Sequence, residues 1–336
     1  MERGKTMKIF AYALREFDEV PYFIQIAEKL GIEYGYTSDY PTLDNADLAR
    51  GYEGVTIITN PMTPELLDKF YSLGVRYIAT RSIGYDHIDT KHARKIGMGI
   101  SHVTYSPNSV ANYTIMMMLM ACRKISYIMD KAKLQDFNLA GKMGKELSLS
   151  TVGVVGTGKI GETVIRHLQG FGCKILAYDL YPKQELGGLA EYADLETIYR
   201  ESDIITLHVP GMESNYHMID EKALSQMKDD VILINAARGM LIDTQALIKA
   251  LSSGKIGFAA LDTIENEKGM YYLNLENRIL DNPDRAILQA FPNVMVSPHM
   301  AFYTDQAVSD MVGNAVKGLL AFEQGGHNPF EVVYEE

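Results

Sequence analysis

A chain of 336 residues with 47% hydrophobic and 22% charged residues has a globular composition, long enough for two domains of ordinary size. The formal net charge of −11 argues against a nucleic-acid partner, because proteins that bind nucleic acid concentrate Lys and Arg against phosphates. The longest apolar run, from Tyr113 to Cys122, is too short for a membrane span, and the first residues show no export signal. The two cysteines, Cys122 and Cys173, have neither zinc nor disulfide spacing, which favours a reducing cytoplasm.

Short apolar runs alternate with helical patterns from the start of the chain, which is typical of parallel sheets covered by helices. Strands are predicted at "KIFAYA" from Lys8, "GVTIIT" from Gly54 and "VRYIATR" from Val75, with a helix at "PELLDKFYSL" from Pro64. These elements predict a first, small, doubly wound sheet.

A long helix is predicted after Pro107, capped by Ser106 or Asn108 and continuing past Arg123 towards Gln135. Its methionines at 116, 117, 118 and 120 occupy too much of the circumference for a surface helix. Because methionine is chiefly a filler of irregular apolar gaps, we expect the helix to pack between domains or against a second subunit.

A second series of strands begins at Thr151 and predicts a six-stranded dinucleotide-type sheet. Its strands are "TVGVV", "KILAY", "DIITLHV", "VILIN", "GFAALD" and "NVMVS". The last helical pattern, from Thr304 to Phe322, follows the completed sheet and could return to the first domain.

The stretch "TVGVVGTGKIGETV" places three glycines between a strand and a helix. Gly156 permits a tight turn, Gly158 lets a pyrophosphate approach the backbone, and Gly161 allows close packing of helix on strand. Asp179 ends the next strand at the distance expected for the acid that binds the adenosine ribose. Its charge would repel the extra phosphate of NADP, so the pattern predicts NAD.

The residues that follow the later strands carry the reactive groups, because ligands of open α/β sheets bind beyond the carboxyl ends of the strands. Pro210 follows one strand, Arg238 the next, an acidic loop "DTIENEKG" the third, and His299 the fourth. Arginine grips a carboxylate through two parallel hydrogen bonds, and histidine exchanges protons near neutral pH. The set is what reduction of a 2-oxo acid beside NADH requires.

The carboxylate that orients His299 could be Glu265 or Glu267, since spacing alone does not choose between them. Each group also has a structural interpretation: Arg238 could form an ion pair with Asp243 or Asp262, His299 could be a strand-end histidine bonded to backbone, and the glutamates could form a solvated charged turn. Their convergence beside a cofactor motif favours catalysis. The remaining histidines show no metal-ligand spacing, and no metal is expected.

The chain resembles the D-specific 2-hydroxyacid dehydrogenases, in particular the D-lactate dehydrogenase branch that includes the enzymes associated with vancomycin resistance. The resemblance extends from Lys8 to about Phe322, through "TRSIGYDHIDT", "YSPNSVANYT", "VGVVGTGKIG", "LHVP", "INAARGMLID", "ALDTIENE" and "PHMAFYT". It implies a flavodoxin-like substrate domain of residues 1–103 plus 301–336 and a Rossmann NAD-binding domain of residues 104–300. It also implies that the domains close over the substrate, and a homodimer.

The resemblance also implies roles for single residues. Arg238 would bind the substrate carboxylate, His299 would be the acid/base, and Glu267, rather than Glu265, would pair with it. Cofactor contacts are implied for Gly156, Gly158, Lys159, Ile160, Gly161, Asp179, Val209, Pro210, Asn215, Ala236, Ala237, Arg238 and Asp262, the last at the nicotinamide carboxamide. Substrate contacts are implied for Ile83 and Gly84 through their amides, and for Tyr105 and Phe302 as pocket walls.

Aromatic pocket walls favour a short substrate, so the expected reaction is NADH-dependent reduction of pyruvate to D-lactate. Two alternatives stay open: a bulkier 2-oxo acid such as 2-oxoisocaproate or phenylpyruvate, and an NAD(H)-sensing corepressor on the same scaffold. Two positions depart from the family pattern, Asn112 where an acid is common and Met300 where a smaller or polar residue is common.

Overall fold

A computed structural model describes residues 7–267, 269–323, 325 and 327–332. The described chain divides into two compact units: one runs up to Ser106 and resumes at Tyr303, and the other is Pro107–Phe302. The boundaries implied by the resemblance, after residues 103 and 300, lie three and two residues earlier.

Strands and helices alternate through both units. The strands are β1 (Lys8–Ala11), β2 (Glu33–Tyr36), β3 (Gly54–Ile57), β4 (Tyr77–Thr80), β5 (Gly99–Ser101), β6 (Thr151–Val155), β7 (Lys174–Tyr178), β8 (Glu191–Tyr192), β9 (Ile204–Leu207), β10 (Val231–Asn235), β11 (Ile256–Leu261) and β12 (Val294–Val296). The helices are α1 (Val20–Leu30), α2 (Pro64–Ser72), α3 (Thr90–Ile96), α4 (Asn108–Cys122), α5 (Ile125–Lys133), α6 (Lys159–Leu168), α7 (Leu195–Glu201), α8 (Glu221–Gln226), α9 (Thr244–Ser252), α10 (Pro283–Ala290) and α11 (Asp305–Glu323).

The first unit is built on a parallel sheet with the strand order β2-β1-β3-β4-β5, which is the flavodoxin-like order. Every residue of β3 is buried at the centre of this sheet. The predicted helix from Pro64 forms as α2, where Thr63 accepts a hydrogen bond from the amide of Leu66 and Pro64 opens the first turn. Helix α11 packs on α1 and β4, so the chain returns to this unit after the second sheet.

The second unit is built on a parallel sheet with the order β12-β11-β10-β9-β6-β7-β8. Its strands are apolar on both faces: Val154 enters the core beneath α4 and α6, while Val155 enters the core beneath α7, α8 and α9. The predicted fold class, two doubly wound parallel sheets, is therefore confirmed. The order reverses between β6 and β9, where such sheets bind their ligands.

Three strands of the structure are not predicted from apolar runs in the sequence. β2, β5 and β8 are four, three and two residues long, and each lies at the edge of its sheet. Edge strands are short and partly solvated, so their sequences lack a continuous apolar run. With β8, the second sheet has seven described strands rather than the predicted six.

The single long helix predicted after Pro107 is wrong, because the chain forms two helices, α4 and α5, separated at Lys124. Lys124 has a left-handed backbone (φ 50°), and the carbonyl of Cys122 accepts a hydrogen bond from the amide of Lys145, 2.8 Å away. A distant segment therefore ends α4 without a local glycine or proline to signal the break. Pro107 occupies the N-cap position instead of Ser106 or Asn108.

Two further properties concern the whole described chain. None of its helices combines the length and apolarity that crossing a membrane requires. Cys122 and Cys173 are both free thiols.

Candidate active site

The glycine loop after β6 has the geometry that each predicted glycine role requires. Gly156 has a φ of 95°, a left-handed conformation in which a side chain would be strained. A Cβ on Gly161 would lie 1.9 Å from the carbonyl oxygen of Gly156, so α6 packs too closely for any larger residue. A Cβ on Gly158 would meet nothing within 4 Å, because this position faces open space at the N-terminus of α6. The loop therefore fits a pyrophosphate on its open side.

Asp179 directly follows β7 and lies beside the glycine loop. Its Oδ2 accepts hydrogen bonds from the amide of Thr157 at 2.6 Å and from its hydroxyl at 3.1 Å, and its Oδ1 accepts from the amide of Tyr181. Partial burial opposes ionisation, but the backbone hydrogen bonds from Tyr181 and Thr157 outweigh it and lower the pKa of the carboxyl. A charged, half-buried carboxylate next to the phosphate loop fits the ribose of NAD.

Arg238 lies in a turn that Asn235 and Gly239 shape. Buried Asn235 accepts from the amide of Ala237 and donates to the carbonyl of Arg238 at 2.8 Å. A Cβ on Gly239 would lie 2.1 Å from the backbone of Ile264, so the loop after β11 crosses directly over this glycine. The turn presents a half-buried guanidinium whose Nη1 donates to the carbonyl of Ala237, and it locks the loops after β10 and β11 together.

The two glutamates of the loop after β11 have different partners. Glu267 Oε1 lies 2.7 Å from Nδ1 of His299, while Glu265 accepts hydrogen bonds from the amide and hydroxyl of Thr244 and from Nε2 of His217. The amide of Ile264 also donates to Glu267 Oε2, which fixes that carboxylate. Glu265 thus ties its loop to α9, and Glu267 faces the imidazole. The His299 and Glu267 side chains are 27% and 22% exposed, so the pair remains accessible.

Asp262 is fully buried and holds the loop that carries His299. Its carboxylate accepts hydrogen bonds from the hydroxyl of Ser297 and from the amides of Met300 and Ala301. The other carboxylate weighed as a partner of Arg238, Asp243, caps α9 through the amide of Ala246. Both acids thus have structural roles, and a contact of Asp262 with the nicotinamide stays a prediction.

The remaining cofactor positions border the same sheet edge. Lys159 and Ile160 form the first turn of α6, Ala236 and Ala237 lie before Arg238, and Val209 and Pro210 follow β9. The Asn215 side chain donates to the carbonyl of Pro210 and accepts from the amide of Met212, which closes the loop after β9.

The substrate positions predicted in the first unit follow β4 and β5. Ile83 and Gly84 lie in a half-buried turn in which the Ser82 hydroxyl donates to the carbonyl of Gly84, and Tyr105 is half-buried before the unit ends. Arg81, directly before this turn, is fully buried in an ion pair with Glu19 at 2.8 Å. Phe302 closes the second unit and is buried.

Sequence reasoning missed several residues that build the site. Asn235 and Gly239 stood inside the quoted "INAARGM" motif, where the need for a tight turn after a buried strand could have identified them. The Tyr272 hydroxyl donates to the main-chain carbonyl of His299, which lies 27 positions further along the chain, and this interaction has no local signal in the sequence. The described residues contain no cluster of three potential metal ligands.

A glycine-loop sheet with an imidazole–carboxylate pair at its carboxyl edge defines a dinucleotide-dependent dehydrogenase. The model of the NAD-binding domain of D-isomer specific 2-hydroxyacid dehydrogenases matches residues 115–301. The chain belongs to the D-isomer specific 2-hydroxyacid dehydrogenase family and is an NAD-dependent oxidoreductase. The family recognised from the sequence motifs and the predicted cofactor are thereby confirmed.

Similar proteins differ in their named substrates. The chain is 43% identical to an aromatic 2-oxoacid reductase of Clostridium sporogenes, over 95% of this chain and 97% of that one. It is 39% identical to a D-lactate dehydrogenase of Lactiplantibacillus plantarum, over 98% and 100% of the two chains. A solved structure of D-2-hydroxyisocaproate dehydrogenase matches with a TM-score of 0.88 and 37% identity, over 97% and 99%.

Proposed function

We propose that the chain reduces a 2-oxo acid to the D-2-hydroxy acid with NADH, and that pyruvate is the substrate and D-lactate the product. The observation that carries this proposal is the 2.7 Å contact between Glu267 and Nδ1 of His299. The pair follows β11 and β12, and Arg238 follows the neighbouring β10. An acid/base and a carboxylate-binding arginine thus belong to adjacent strand ends.

His299 is proposed to donate the proton in reduction. Because Glu267 engages Nδ1, the atom left for the substrate oxygen is Nε2. A carboxylate on the far nitrogen fixes the ring orientation and stabilises the imidazolium before transfer. NADH, when bound, would supply the hydride.

Arg238 is proposed to bind the substrate carboxylate through two parallel hydrogen bonds and to polarise the adjacent ketone. Its turn is rigid, because Asn235 holds the backbone and Gly239 is packed under Ile264. Rigid presentation matters, since a substrate shifted by an ångström loses alignment with the reacting groups. The contacts of Ile83, Gly84 and Tyr105 with the same substrate stay predictions of the family resemblance.

An aromatic 2-oxo acid is the second candidate substrate. The Clostridium sporogenes relative named for that activity is 43% identical, against 39% for the lactate enzyme. An aromatic surface also lies beside the histidine, where the rings of Tyr272 and Phe302 meet edge to face with centroids 6.0 Å apart. Such a surface would pack a phenyl substituent.

A substrate panel tests the proposal. Purified protein is incubated with NADH and pyruvate, 2-oxoisocaproate or phenylpyruvate, and kcat/KM is measured from the loss of NADH absorbance. We expect pyruvate to give the highest value and the product to be the D enantiomer. A higher kcat/KM for phenylpyruvate selects the aromatic candidate, and an L product contradicts the proposal.

A His299→Gln variant controls for non-enzymatic oxidation of NADH. Its activity should fall about 10²–10⁴-fold, as expected for loss of a general acid, while its affinity for NADH stays unchanged. Tight NADH binding with no turnover of any panel acid would favour the corepressor alternative.

We also propose that the chain is a homodimer in the cytoplasm. Helices α4 and α5 and the segment after them expose large apolar side chains that a second copy would cover. These are Met116, Leu119, Ile125, Met129, Leu134, Phe137, Leu139 and Met143. Light scattering measures the mass in solution, and a monomer would contradict the dimer.

A further inference from the structure

Tyr272 lies in the same loop as Glu267 and makes a second contact with His299. The Tyr272 hydroxyl donates a hydrogen bond to the main-chain carbonyl of His299 at 3.0 Å. Glu267 holds the imidazole at Nδ1, so one loop touches the histidine at both its side chain and its backbone.

The backbone of His299 needs such support because it is left-handed, with a φ of 53°. Non-glycine residues adopt this conformation only where their surroundings impose it. The amide of His299 donates to the carbonyl of Asp262 at 2.9 Å, and its carbonyl accepts from Tyr272. The two contacts fix both peptide groups of the histidine and therefore the direction of its side chain.

One side of this loop borders an open surface depression of about 400 Å³, lined by Pro298 and Met300, the two neighbours of His299, and by Tyr272. Side chains that face such a depression have few packing partners on that side, so specific contacts contribute to restraining the loop there. The Tyr272 ring adds one, since it meets the ring of Phe302 edge to face at an interplanar angle of 87°.

We propose that Tyr272 is a positioning residue, which aligns the imidazole of His299 for proton transfer by anchoring its carbonyl. This inference rests on the proposed function, because it assigns His299 the proton transfer. Tyr272 is 41% exposed and its hydroxyl bonds a backbone carbonyl of a loop, so its loss should affect alignment more than folding.

Three variants test the proposal. Tyr272→Phe removes the hydroxyl and keeps the ring, Tyr272→Leu removes both, and Tyr36→Phe removes a hydroxyl from a tyrosine that is also 41% exposed, on β2 of the first unit. We expect Tyr272→Phe to lower kcat about fivefold, the worth of one hydrogen bond, with unchanged KM and NADH affinity. Tyr272→Leu should lower kcat further, and Tyr36→Phe should match wild type.

A solvent deuterium isotope effect separates positioning from a merely structural role. Misalignment of His299 slows the proton transfer, so the isotope effect on kcat should rise in Tyr272→Phe while the thermal midpoint stays at the wild-type value. The proposal is overturned if Tyr272→Phe keeps the wild-type kcat. It is also overturned if the variant loses activity while its thermal midpoint falls and its isotope effect on kcat stays at the wild-type value. Failure of the proposed function would look different, because the wild-type protein itself would then be inactive with every acid.

Discussion

Arg81 and Arg238 occupy similar places in the sequence and opposite environments in the fold. Each follows a buried strand, β4 or β10, and each is followed within three residues by a glycine. Arg81 has no exposed surface, whereas Arg238 is half-buried in a turn at the carboxyl edge of the second sheet. The two arginines therefore contrast a buried structural ion pair with a half-buried guanidinium for which we propose substrate binding.

The surroundings of Arg81 account for its burial. Its Nε donates to Glu19 at 2.8 Å, Nη1 donates to the hydroxyl of Thr56, and Nη2 donates to the carbonyls of Tyr12 and Ala13. A guanidinium can be buried when a carboxylate neutralises its charge and its other N–H groups donate to hydroxyl and carbonyl oxygens, as they do here. The comparison teaches that the position of an arginine after a strand does not by itself indicate whether its guanidinium is accessible to a ligand.

The largest effect expected from this comparison is on stability. Arg81→Met should lower the free energy of unfolding of the first unit by about 3 kcal/mol, because buried Glu19 loses its 2.8 Å ion pair and keeps only Arg15, whose Nη1 lies 3.6 Å away. Urea denaturation measures the change. Arg50→Met is the matched control, since Arg50 forms an exposed ion pair with Asp47 in the same unit and should cost under about 1 kcal/mol. Equal losses in the two variants would break the comparison.

The next effect is on catalysis. Arg238→Lys keeps the positive charge but loses the bidentate grip, so kcat/KM for the 2-oxo acid should fall about a hundredfold. The thermal midpoint should not change. Arg200→Lys, on the exposed surface of α7, is the control and should match wild type. A wild-type kcat/KM in Arg238→Lys would remove this arginine from the mechanism.

The smallest effect concerns His208, a half-buried histidine that directly follows β9. Desolvation of the His208 ring, whose Nε2 contacts the hydroxyl of Thr206, lowers its pKa from 6.5 to about 4. The unfolded chain binds a proton at His208 below pH 6.5 that the folded chain does not bind until about pH 4. The free energy of unfolding should therefore decrease as the pH is lowered from 6.5 to about 4.

Between pH 7.5 and pH 5 the contribution of His208 should amount to about 2 kcal/mol. Urea unfolding of wild type and His208→Gln at both pH values measures it, since other titrating groups are common to the two proteins. The variant should lose less stability than wild type on acidification. Parallel pH dependence in the two proteins would show that His208 contributes nothing.

Much of the second unit follows from local sequence. The apolar runs at β6, β7 and β10 are buried on both faces, so their sequence pattern is strong and the predicted bounds match the observed ones. The glycine loop was also predictable from the sequence, because each glycine meets a steric requirement that arises within one short loop. Edge strand β8 has two residues and offers no such pattern.

The sequence by itself determined the strand–helix alternation, the phosphate loop and the order in which reactive residues follow the strands, because these depend on side-chain size and polarity over a few neighbouring positions. Tertiary structure alone decided which arginine is buried and that α4 ends at Cys122. Spacing left Glu265 and Glu267 open as partners of His299, the family resemblance implied Glu267, and the fold brings Glu267 to Nδ1 of His299. Those outcomes depend on groups brought together from distant parts of the chain, such as Glu19 with Arg81 or Lys145 with Cys122. Whether a side chain is buried and which group it pairs with depend on residues that are distant in the sequence and adjacent only in the folded chain.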